Sequence, residues 1–284
     1  MRTPPKPTFF FPWLVIPPAA VLIVLFGIPL LLVLAVSFAS RGTYGGVEWA
    51  LTLGNYISIV DPLYLRIFWR SLWLAVATTA ICLVMGFPLA YVIARAPKRW
   101  QGLLLFLVII PFWTNFLVRT YAWMFILRTE GLLNQALMAL GLIHEPLNIL
   151  FTDWAVLIGL VYGYLPFMVL PLYAALERLD RSLVEAAWDL YAKRLQVFTR
   201  VVLPLSKPGV IAGCVLVFIP SLGAYVTPDL LGGARTMMIG NLIQHQYLVV
   251  RDWPFGSALS FVLMAGVLAA VLYYLHAGGA RSLT

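Results

Sequence analysis

Side chains able to act as nucleophiles, metal ligands or general acids are few in this sequence, and their spacing predicts no catalytic centre. Cys82 and Cys214 each lie in the middle of an apolar run, which predicts small buried side chains rather than a disulfide or a metal site. His144, His245 and His276 are too far apart to show ligand spacing. The apolar runs contain no paired acids and no Gly-x-Ser-x-Gly nucleophile turn. We therefore predict that the chain is not an enzyme and binds no metal.

The sequence also lacks the phosphate-binding loop that is typical of proteins that hydrolyse nucleotides. A phosphate-binding loop needs a lysine that directly follows a glycine, so that backbone N–H groups and the ammonium surround the phosphates. The four lysines of the chain follow proline, alanine or serine instead: Lys6, Lys98, Lys193 and Lys207. We predict that this chain binds no cofactor of its own.

Arg119 and Asp229 fall inside apolar runs, where a charge is costly and commonly functional. Arg119 could contact a ligand, but a structural role, either snorkelling to the interface or an ion pair with an acid, is the alternative that we favour. Asp229 could attract an ammonium group or could equally cap a re-entrant turn. Both residues are candidates for a solute pathway, with structural roles left open.

Aromatic side chains in the same runs could bind a cation through their ring faces. Trp113 lies about 15 Å into its run at 1.5 Å per residue, away from the interfaces where tryptophan acts as an anchor. With Tyr162 and Tyr225 it forms the best set, because each lies beside a proline or glycine break, although packing remains the alternative for any single ring. The full set of candidate pathway residues is Trp113, Asn115, Arg119, Tyr121, Tyr162, Tyr225 and Asp229.

The composition indicates that these apolar runs lie in a lipid bilayer rather than in the core of a soluble domain. Of the 284 residues, 62% are hydrophobic and 11% charged, whereas soluble domains are roughly half apolar and about a quarter charged. Six runs are long enough to cross about 30 Å of hydrocarbon: 14–38, 70–94, 103–127, 154–176, 209–230 and 257–276. The first is too long for a signal peptide and has no clear cleavage site. We predict an all-α membrane protein with six transmembrane helices in a single domain, 1–284.

The distribution of charge predicts the orientation of the spans. With the N-terminus inside, the inside segments hold 12 of the 19 lysines and arginines, including Arg2, Lys6 and Arg281, but only 4 of the 11 acids. All of the net charge of +8 therefore lies on one side, as the positive-inside rule requires. We predict that both termini are cytoplasmic, and we expect a bilayer rather than a nucleic acid to be the partner of these cations.

Prolines lie in or near most of the spans, where they either kink the helix or belong to ordinary packing. The fifth span differs, because Pro220, Gly223, Pro228 and Asp229 fall within ten residues of one another. An unbroken helix is not expected there. Discontinuous helices at membrane depth are where transport proteins often place solute sites.

The fourth loop, about 177–208, is the longest inside loop and holds half of the inside positive charge. We predict a short helix that begins with a capping box, in which Ser182 caps the helix and Glu185 returns the hydrogen bond. A turn and a second apolar segment follow. The pattern suits a docking element for another protein and suits equally an amphipathic helix on the membrane surface.

The same loop resembles the EAA loop of ABC importer permeases. The matching residues are Glu185-Ala186-Ala187-x-Asp189-Leu190-x-Ala192, then Phe198 and Leu203-Pro204-Leu205. The wider chain, from about residue 14, is similar to spermidine/putrescine-type permease subunits in the stretches 111–123, 161–168, 228–234 and 251–256. The EAA loop is specific for the importer superfamily, and the other stretches are moderately specific for the polyamine-type branch.

The chain departs from the resembling family at two positions. Tyr191 stands where the EAA pattern has a glycine that suits a positive-φ turn, which is unfavourable for a bulky residue. Ala224 stands where many of the polyamine permeases carry a glutamate, a natural partner for an amine. The second departure bears on the solute more than on the fold.

The resemblance implies a type I (MetI-like) permease of six spans in a bacterial inner membrane. It implies two copies of a cytoplasmic ATP-binding subunit that hold ATP and Mg²⁺, a second homologous permease subunit and a periplasmic solute-binding protein. It also implies that the loop contacts the ATP-binding subunit through Glu185, Ala186, Ala187, Asp189, Leu190, Tyr191, Phe198 and Pro204.

The solute implied by the resemblance is a small organic cation such as putrescine or spermidine, with opine-like and other small solutes as alternatives within the family. A secondary transporter or channel that works without ATP is the alternative from another class. It would be expected to show internal repeats or a chain of titratable acids within the spans. The sequence has no convincing repeat and one or two such acids.

Overall fold

The computed structural model of the protein describes residues 11–274, with side chains from residue 16 to residue 272. His276 and the terminal cations Arg2, Lys6 and Arg281 lie outside the described residues. The described chain forms two compact units. Unit one comprises residues 11–61 and 243–273, and unit two comprises residues 62–242.

Unit one begins with a continuous apolar helix, α1, formed by Phe11–Leu22, a π-helical turn at Ile23–Gly27 and Ile28–Ser37. Two short antiparallel strands, β1 (Ser40–Arg41) and β2 (Val47–Glu48), precede helix α2 (Gly54–Ile59). The Asn55 side chain donates hydrogen bonds to the carbonyls of Ser37 (2.9 Å) and Ala39 (2.8 Å). These bonds satisfy acceptors that the end of α1 leaves without helical partners.

Unit two contains helices α3 (Pro62–Arg95), α4 (Lys98–Trp113), α5 (Phe116–Leu127), α6 (Leu132–Ala139) and α7 (Asp153–Glu177). Helices α8 (Arg181–Asp189), α9 and α10 (Lys207–Leu222) follow, with α9 formed by Arg194–Val197, a π-helical turn at Phe198–Val202 and Leu203–Leu205. A π-helical turn at Pro228–Gly232 and a 3₁₀ turn at Gly233–Arg235 lead to α11 (Ile239–His245). From Ile243 the chain belongs to unit one again, and it continues through a π-helical turn at Gln246–Val250 to α12 (Trp253–Tyr274).

The core of unit two lies among α3, α7 and α10, which pack against one another. Leu74, Leu160, Met168 and Val217 are buried there. Cys82 is also buried and directs its thiol at the Val161 carbonyl, 3.6 Å away. Both cysteines are free, with Cys82 buried and Cys214 half-buried, which agrees with their predicted role as small packing residues.

Within residues 11–274, four helices are long and apolar enough to cross a membrane alone, namely Ile16–Ser37, Pro62–Arg95, Asp153–Glu177 and Trp253–Leu272. Two bent helix pairs are further candidates. They are Lys98–Trp113 with Phe116–Ala139, bent by 86°, and Arg194–Leu205 with Lys207–Leu222, bent by 68°. If each pair counts as one span, the number is six, as the hydropathy predicts.

The predicted third span, 103–127, is not one helix. Its first part ends at Trp113, and Thr114 and Asn115 have the extended backbone angles ψ 146° and 131°. In the fifth span, α10 ends at Leu222, and a π-helical turn from Pro228 replaces its continuation. The discontinuity predicted for the fifth span is therefore confirmed, and the third span contains a second one that the prolines alone did not predict.

Two glycines allow α10 to approach α7 closely. A Cβ at Gly209 would lie 2.5 Å from the Ala175 Cβ and 2.7 Å from the Pro171 carbonyl oxygen, and a Cβ at Gly213 would lie 2.7 Å from the Met168 sulfur. Small residues spaced by four are the usual means by which helices pack closely in membranes, where dispersion replaces the hydrophobic effect as the driving force. The contact between α7 and α10 therefore depends on these two positions.

We expect Gly209→Ala to destabilise the protein by about 1–3 kcal/mol, because the added methyl group must displace backbone atoms of α7. The melting temperature of the purified protein, followed by tryptophan fluorescence, measures the effect.

Gly102→Ala is the matched control, because a Cβ at Gly102 meets no atom within 4 Å and this glycine lies inside α4. The control should leave stability unchanged or raise it by up to about 1 kcal/mol. Equal melting temperatures for both variants would show that the glycine contact does not hold α7 and α10 together.

Candidate functional site

The break in the third span leaves carbonyl groups at the end of α4 without helical partners. The Pro111 carbonyl accepts hydrogen bonds from the Thr114 hydroxyl (2.7 Å) and from Nη1 of Arg119 (2.9 Å). Backbone groups at membrane depth must be satisfied within the protein, since lipid supplies no partners. Arg119 thus stabilises the end of α4 from the following helix.

Asn115 stabilises the other side of the same break. Its side-chain oxygen accepts hydrogen bonds from the backbone N–H groups of Leu117 (2.9 Å) and Val118 (3.4 Å), so Asn115 is the N-cap of α5. Asparagine is among the preferred residues at this position because its short side chain reaches these donors. The candidate pathway residue Asn115 therefore has a structural role in the described protein.

Arg119 lies among aromatic rings. Its guanidinium carbon is 5.5 Å from the ring centroid of Phe116 and 5.7 Å from that of Tyr162. The Tyr162 ring in turn makes an edge contact with Trp123, with centroids 5.3 Å apart. The ion pair considered for Arg119 is wrong for the described residues, because the Pro111 carbonyl takes the place of an acid.

Among the described residues, an ion pair joins Arg70 to Asp153. Nε and Nη2 of Arg70 donate to the two carboxylate oxygens at 2.9 and 3.0 Å, and Nη1 donates to the Arg235 carbonyl at 2.7 Å. This bidentate contact ties α3 to the start of α7 and to the turn at Gly233–Arg235. Local sequence patterns do not indicate this pair, because its partners are 83 residues apart.

The break after α10 is stabilised in a similar way. The Tyr164 hydroxyl donates to the Pro220 carbonyl (3.1 Å), and the Asn241 amide donates to the Tyr225 carbonyl (2.7 Å). The Asp229 backbone N–H also donates to the Tyr225 carbonyl, at 2.9 Å, while the Asp229 side chain is exposed. The carboxylate of Asp229 does not cap the turn at Pro228–Gly232 in the described structure.

The candidate pathway residues do not form one cluster. Arg119 and Tyr162 are in contact, whereas the Trp113 ring contacts Phe106 at 5.6 Å between centroids. Among the described rings, no ring contact joins Trp113, Tyr162 and Tyr225, the set predicted as the best. Trp113 is 72% exposed, and the rings of Tyr121 and Tyr225 are about half exposed. These three remain available to a ligand or a partner chain.

The role of Tyr164 was not predicted from the sequence. This residue stands two positions after Tyr162 on α7 and contacts Phe167, which makes an edge contact with Phe112 at 5.1 Å. Its hydroxyl, in an apolar segment and far from any charge in sequence, is the signal that could have indicated a backbone partner. That partner, Pro220, belongs to the broken fifth span.

A cleft of about 810 Å³ opens at the ends of α5 and the turn at Gly233–Arg235. Its charged lining residues are Arg128, Glu130 and Arg235, and Thr129 and Asn148 add polar groups. The Thr129 hydroxyl donates to the Asn148 side chain at 3.2 Å. The cleft presents charges of both signs, which suits a polar protein surface.

The loop of residues 177–208 begins with a different cap from the one predicted. The N-cap of α8 is Asp180, whose carboxylate accepts the backbone N–H of Ser182 at 3.0 Å. The predicted capping box of Ser182 and Glu185 is wrong, because the helix starts two residues earlier, at Arg181. The hydrogen bond from Ser182 lowers the pKa of the Asp180 carboxyl below its usual value, so the cap is ionised at neutral pH.

Tyr191 adopts the backbone conformation that a glycine would adopt more easily. Its φ is +57°, its N–H donates to the Trp188 carbonyl (2.8 Å), and the Ala192 N–H donates to the Ala187 carbonyl (3.1 Å). This is the Schellman arrangement that ends many helices. Tyr191 therefore keeps the positive-φ turn that suits a glycine and bears the strain of a bulky residue in that conformation.

The next helix, α9, has its own cap, since the Gln196 side chain accepts the Lys193 backbone N–H at 2.8 Å. Val184, Val197 and Val202 are buried and anchor both short helices to unit two. Phe198 packs its ring against Phe87 of α3, with centroids 5.3 Å apart, so it belongs to this anchor.

The opposite side of α8 and α9 is apolar and exposed, and we call it the loop surface. Its large exposed side chains are Leu183, Trp188, Leu190, Tyr191 and Leu195. Glu185, Ala186, Asp189 and Pro204 are exposed as well, whereas Ala187 is half-buried. An apolar surface bordered by charged residues in this way is typical of a protein interface.

Residues 83–282 match the family model described as "Binding-protein-dependent transport system inner membrane component". The spermidine/putrescine transport system permease protein PotB of Escherichia coli (strain K12) is 47% identical over 250 residues, 88% of this chain and 91% of that protein. PotB of Haemophilus influenzae is 47% identical over 249 residues, 88% of this chain and 86% of that protein. The inner membrane ABC transporter permease protein YdcU of Escherichia coli is 34% identical over 75% of this chain and 71% of that protein.

Solved structures show the same fold. A chain of the bacterial alginate ABC transporter, in complex with an alginate pentasaccharide-bound periplasmic protein, superposes with a TM-score of 0.75 at 17% identity, covering 93% of this chain and 92% of that chain. A second structure, of a bacterial ABC transporter that imports the acidic polysaccharide alginate, gives 0.73 at 16% identity, covering 95% and 94%. The predicted importer permease fold is confirmed.

The family model covers most of the chain, and the identity to its permease relatives extends over nearly nine-tenths of it. The chain therefore belongs to the family of binding-protein-dependent transport system inner membrane components, and is a multi-pass permease subunit of an ABC importer.

Proposed function

We propose that this chain imports a small organic cation, a polyamine such as putrescine or spermidine, as one of two homologous permease subunits driven by ATP. The observation that carries the proposal is the 47% identity, over 88% of the chain, to the permease of spermidine/putrescine transport in Escherichia coli. The alginate transporters share the fold at 16–17% identity and support no choice of solute.

We assign to the solute those candidate side chains that remain exposed in the described structure. Trp113, Tyr121 and Tyr225 expose their rings, and Asp229 exposes its carboxylate, so these four can attract an alkylammonium group. A cation over an aromatic face gains about 0.5–2 kcal/mol. We assign Asn115, Arg119 and Tyr162 to holding the broken third span, because their polar atoms or rings already have partners.

The loop surface is the proposed contact for a cytoplasmic ATP-binding subunit. Large apolar side chains are exposed on α8 and α9, while the valines beneath them are buried. A partner that moves this surface therefore also moves the core of unit two. We propose that two ATP-binding subunits hold ATP and Mg²⁺, one beneath each permease. This chain then contributes no nucleotide-binding residues.

The opposite face is proposed to meet the solute-binding protein. The positive-inside count places 177–208 in the cytoplasm, and with it both termini. The cleft lined by Arg128, Glu130 and Arg235 then opens toward the periplasm, where charges of both signs can pair with a protein surface. Docking on one side and ATP binding on the other bias one switch between outward-open and inward-open states.

Reconstitution of the full chain in proteoliposomes with its second permease, ATP-binding subunit and binding protein tests the function. We expect uptake of labelled putrescine or spermidine that requires ATP and the binding protein. Because 1,4-butanediol has the same carbon chain as putrescine without its charge, its uptake should stay at the background level. Uptake without the ATP-binding subunit would contradict the importer, and equal uptake of the diol would contradict the choice of a cation.

Reversing the charge of Glu185 tests the loop surface. Glu185→Lys should lower retention of the ATP-binding subunit and polyamine uptake tenfold or more, because a mispaired charge at a desolvated contact costs about 2–5 kcal/mol. Pull-down of the ATP-binding subunit by the purified permease measures retention, and the proteoliposome assay measures uptake.

Glu145→Lys is the matched control, since Glu145 is an exposed glutamate outside the loop. It should retain the ATP-binding subunit as the unmodified protein does. If Glu185→Lys behaves like this control in both measurements, the loop does not couple the two subunits.

Replacing Tyr191 separates strain from contact. Tyr191→Gly should relieve the positive φ and stabilise the end of α8 by about 1 kcal/mol, which slows local hydrogen exchange about fivefold. Amide exchange of residues 190–192, followed by mass spectrometry, measures the effect.

Tyr191→Ala keeps the Cβ, and with it the strain, but removes the ring that is 96% exposed. We expect exchange to slow in the glycine variant alone, and retention of the ATP-binding subunit to fall in both variants. If alanine slowed exchange as much as glycine, the backbone of Tyr191 would not be the source of strain.

A further inference from the structure

A polar pocket of about 530 Å³ lies where α3 ends, α4 begins, α7 ends and α8 begins, and no residue of the candidate pathway or of the loop surface lines it. Three cations line it, namely Arg95 from α3, Lys98 from α4 and Arg181 from α8. One acid, Glu177, also lines the pocket. The charge of the lining is therefore positive overall.

Arg95 has a donor that the described protein does not satisfy. Its Nη2 atom is buried and lacks a hydrogen-bond partner among the described residues, while its guanidinium lies 5.0 Å from the ring centroid of Tyr91. A buried charged donor without an acceptor is strongly unfavourable. Arg95 also lines the pocket, so an acceptor bound there would remove that cost once the guanidinium turned toward it.

The uncharged polar side chain of the pocket, Gln101, already has hydrogen-bond partners within the protein. The Gln101 amide donates to the carbonyls of Ala94 and Ala96, both at 3.1 Å, and its oxygen accepts the Tyr173 hydroxyl at 3.3 Å. Gln101 therefore fixes the corner between α3 and α4. The donors left for a ligand are cationic ones, and Lys98 stands at the positive end of a 16-residue helix.

A ligand that accepts hydrogen bonds from several cations at once must carry several anionic oxygens, as a phosphate group does. The pocket lies at the ends of membrane-spanning segments, which is the depth of lipid headgroups. From the pocket, α4 continues into its span with Leu103 and Leu107 exposed, as a lipid-facing helix would. Basic pockets between spans are a known form of lipid recognition.

We propose that this pocket binds a phosphate group, supplied by the headgroup of an anionic phospholipid. The assignment to the cytoplasmic leaflet rests on the orientation proposed above, whereas binding itself does not. Glu177 opposes the anion and sets a moderate affinity, so the site exchanges its lipid rather than holding it permanently.

Native mass spectrometry of the purified full chain, titrated with phosphatidylglycerol or with zwitterionic phosphatidylcholine, tests the proposal. We expect phosphatidylglycerol to be retained preferentially. Arg95→Gln and Lys98→Gln should each weaken its binding about fivefold, the effect of one cation near a lipid surface. Arg99→Gln is the matched control, since Arg99 is adjacent to Lys98 but stacks on Trp100, 5.9 Å away, outside the pocket lining.

Glu177→Gln provides the opposite change, and should tighten phosphatidylglycerol binding by a similar factor. A thermal-shift titration with inorganic phosphate, against chloride at equal ionic strength, identifies the source of the group. A shift with inorganic phosphate and no preference for phosphatidylglycerol would overturn the lipid as the source. If Arg99→Gln weakened binding as much as Lys98→Gln, or if Glu177→Gln and Arg95→Gln had no effect, the pocket would not be the site. None of these measurements depends on solute uptake, so they stand apart from the test of the importer.

Discussion

The structure of unit two depends on one constraint: a backbone carbonyl or N–H group at membrane depth must find its partner within the protein. Two spans are broken, and each break exposes such groups. Thr114 and Arg119 satisfy the end of α4, Asn115 the start of α5, and Tyr164 the end of α10. Some polar side chains that look like ligand residues in the sequence are therefore needed to satisfy the backbone groups that an interrupted helix exposes in lipid.

This constraint explains which candidate residues keep a place in the proposed pathway. A side chain whose polar atoms serve the backbone cannot also give them to a solute without opening the break. Arg119 and Asn115 are engaged in this way, whereas Asp229 and the Tyr225 ring are not. The rings of Tyr162 and Phe116 also lie against the Arg119 guanidinium, which donates a hydrogen bond to the Pro111 carbonyl. These contacts further restrict access of a solute to Arg119.

Hydropathy and turn-forming residues were enough to predict six candidate spans, the broken fifth helix and the first short helix of the loop. They did not separate Asp180 from Ser182 as the cap of α8, because both are good caps and lie two residues apart. Nor could they reveal the break at Thr114, the pair of Arg70 with Asp153, or the hydroxyl of Tyr164 on Pro220. The last two depend on residues that are 83 and 56 positions apart in the sequence, and local patterns carry no information on such contacts.

The glycines of α10 have a mechanical consequence. The loop of residues 177–208 joins the end of α7 to the start of α10, and Gly209 and Gly213 hold those two helices at close range. A force on the loop cannot spread its two ends apart, because they lead into helices that are already in contact. Such a force moves α7 and α10 together as one unit, so the loop transmits motion to both helices and does not act as a hinge between them.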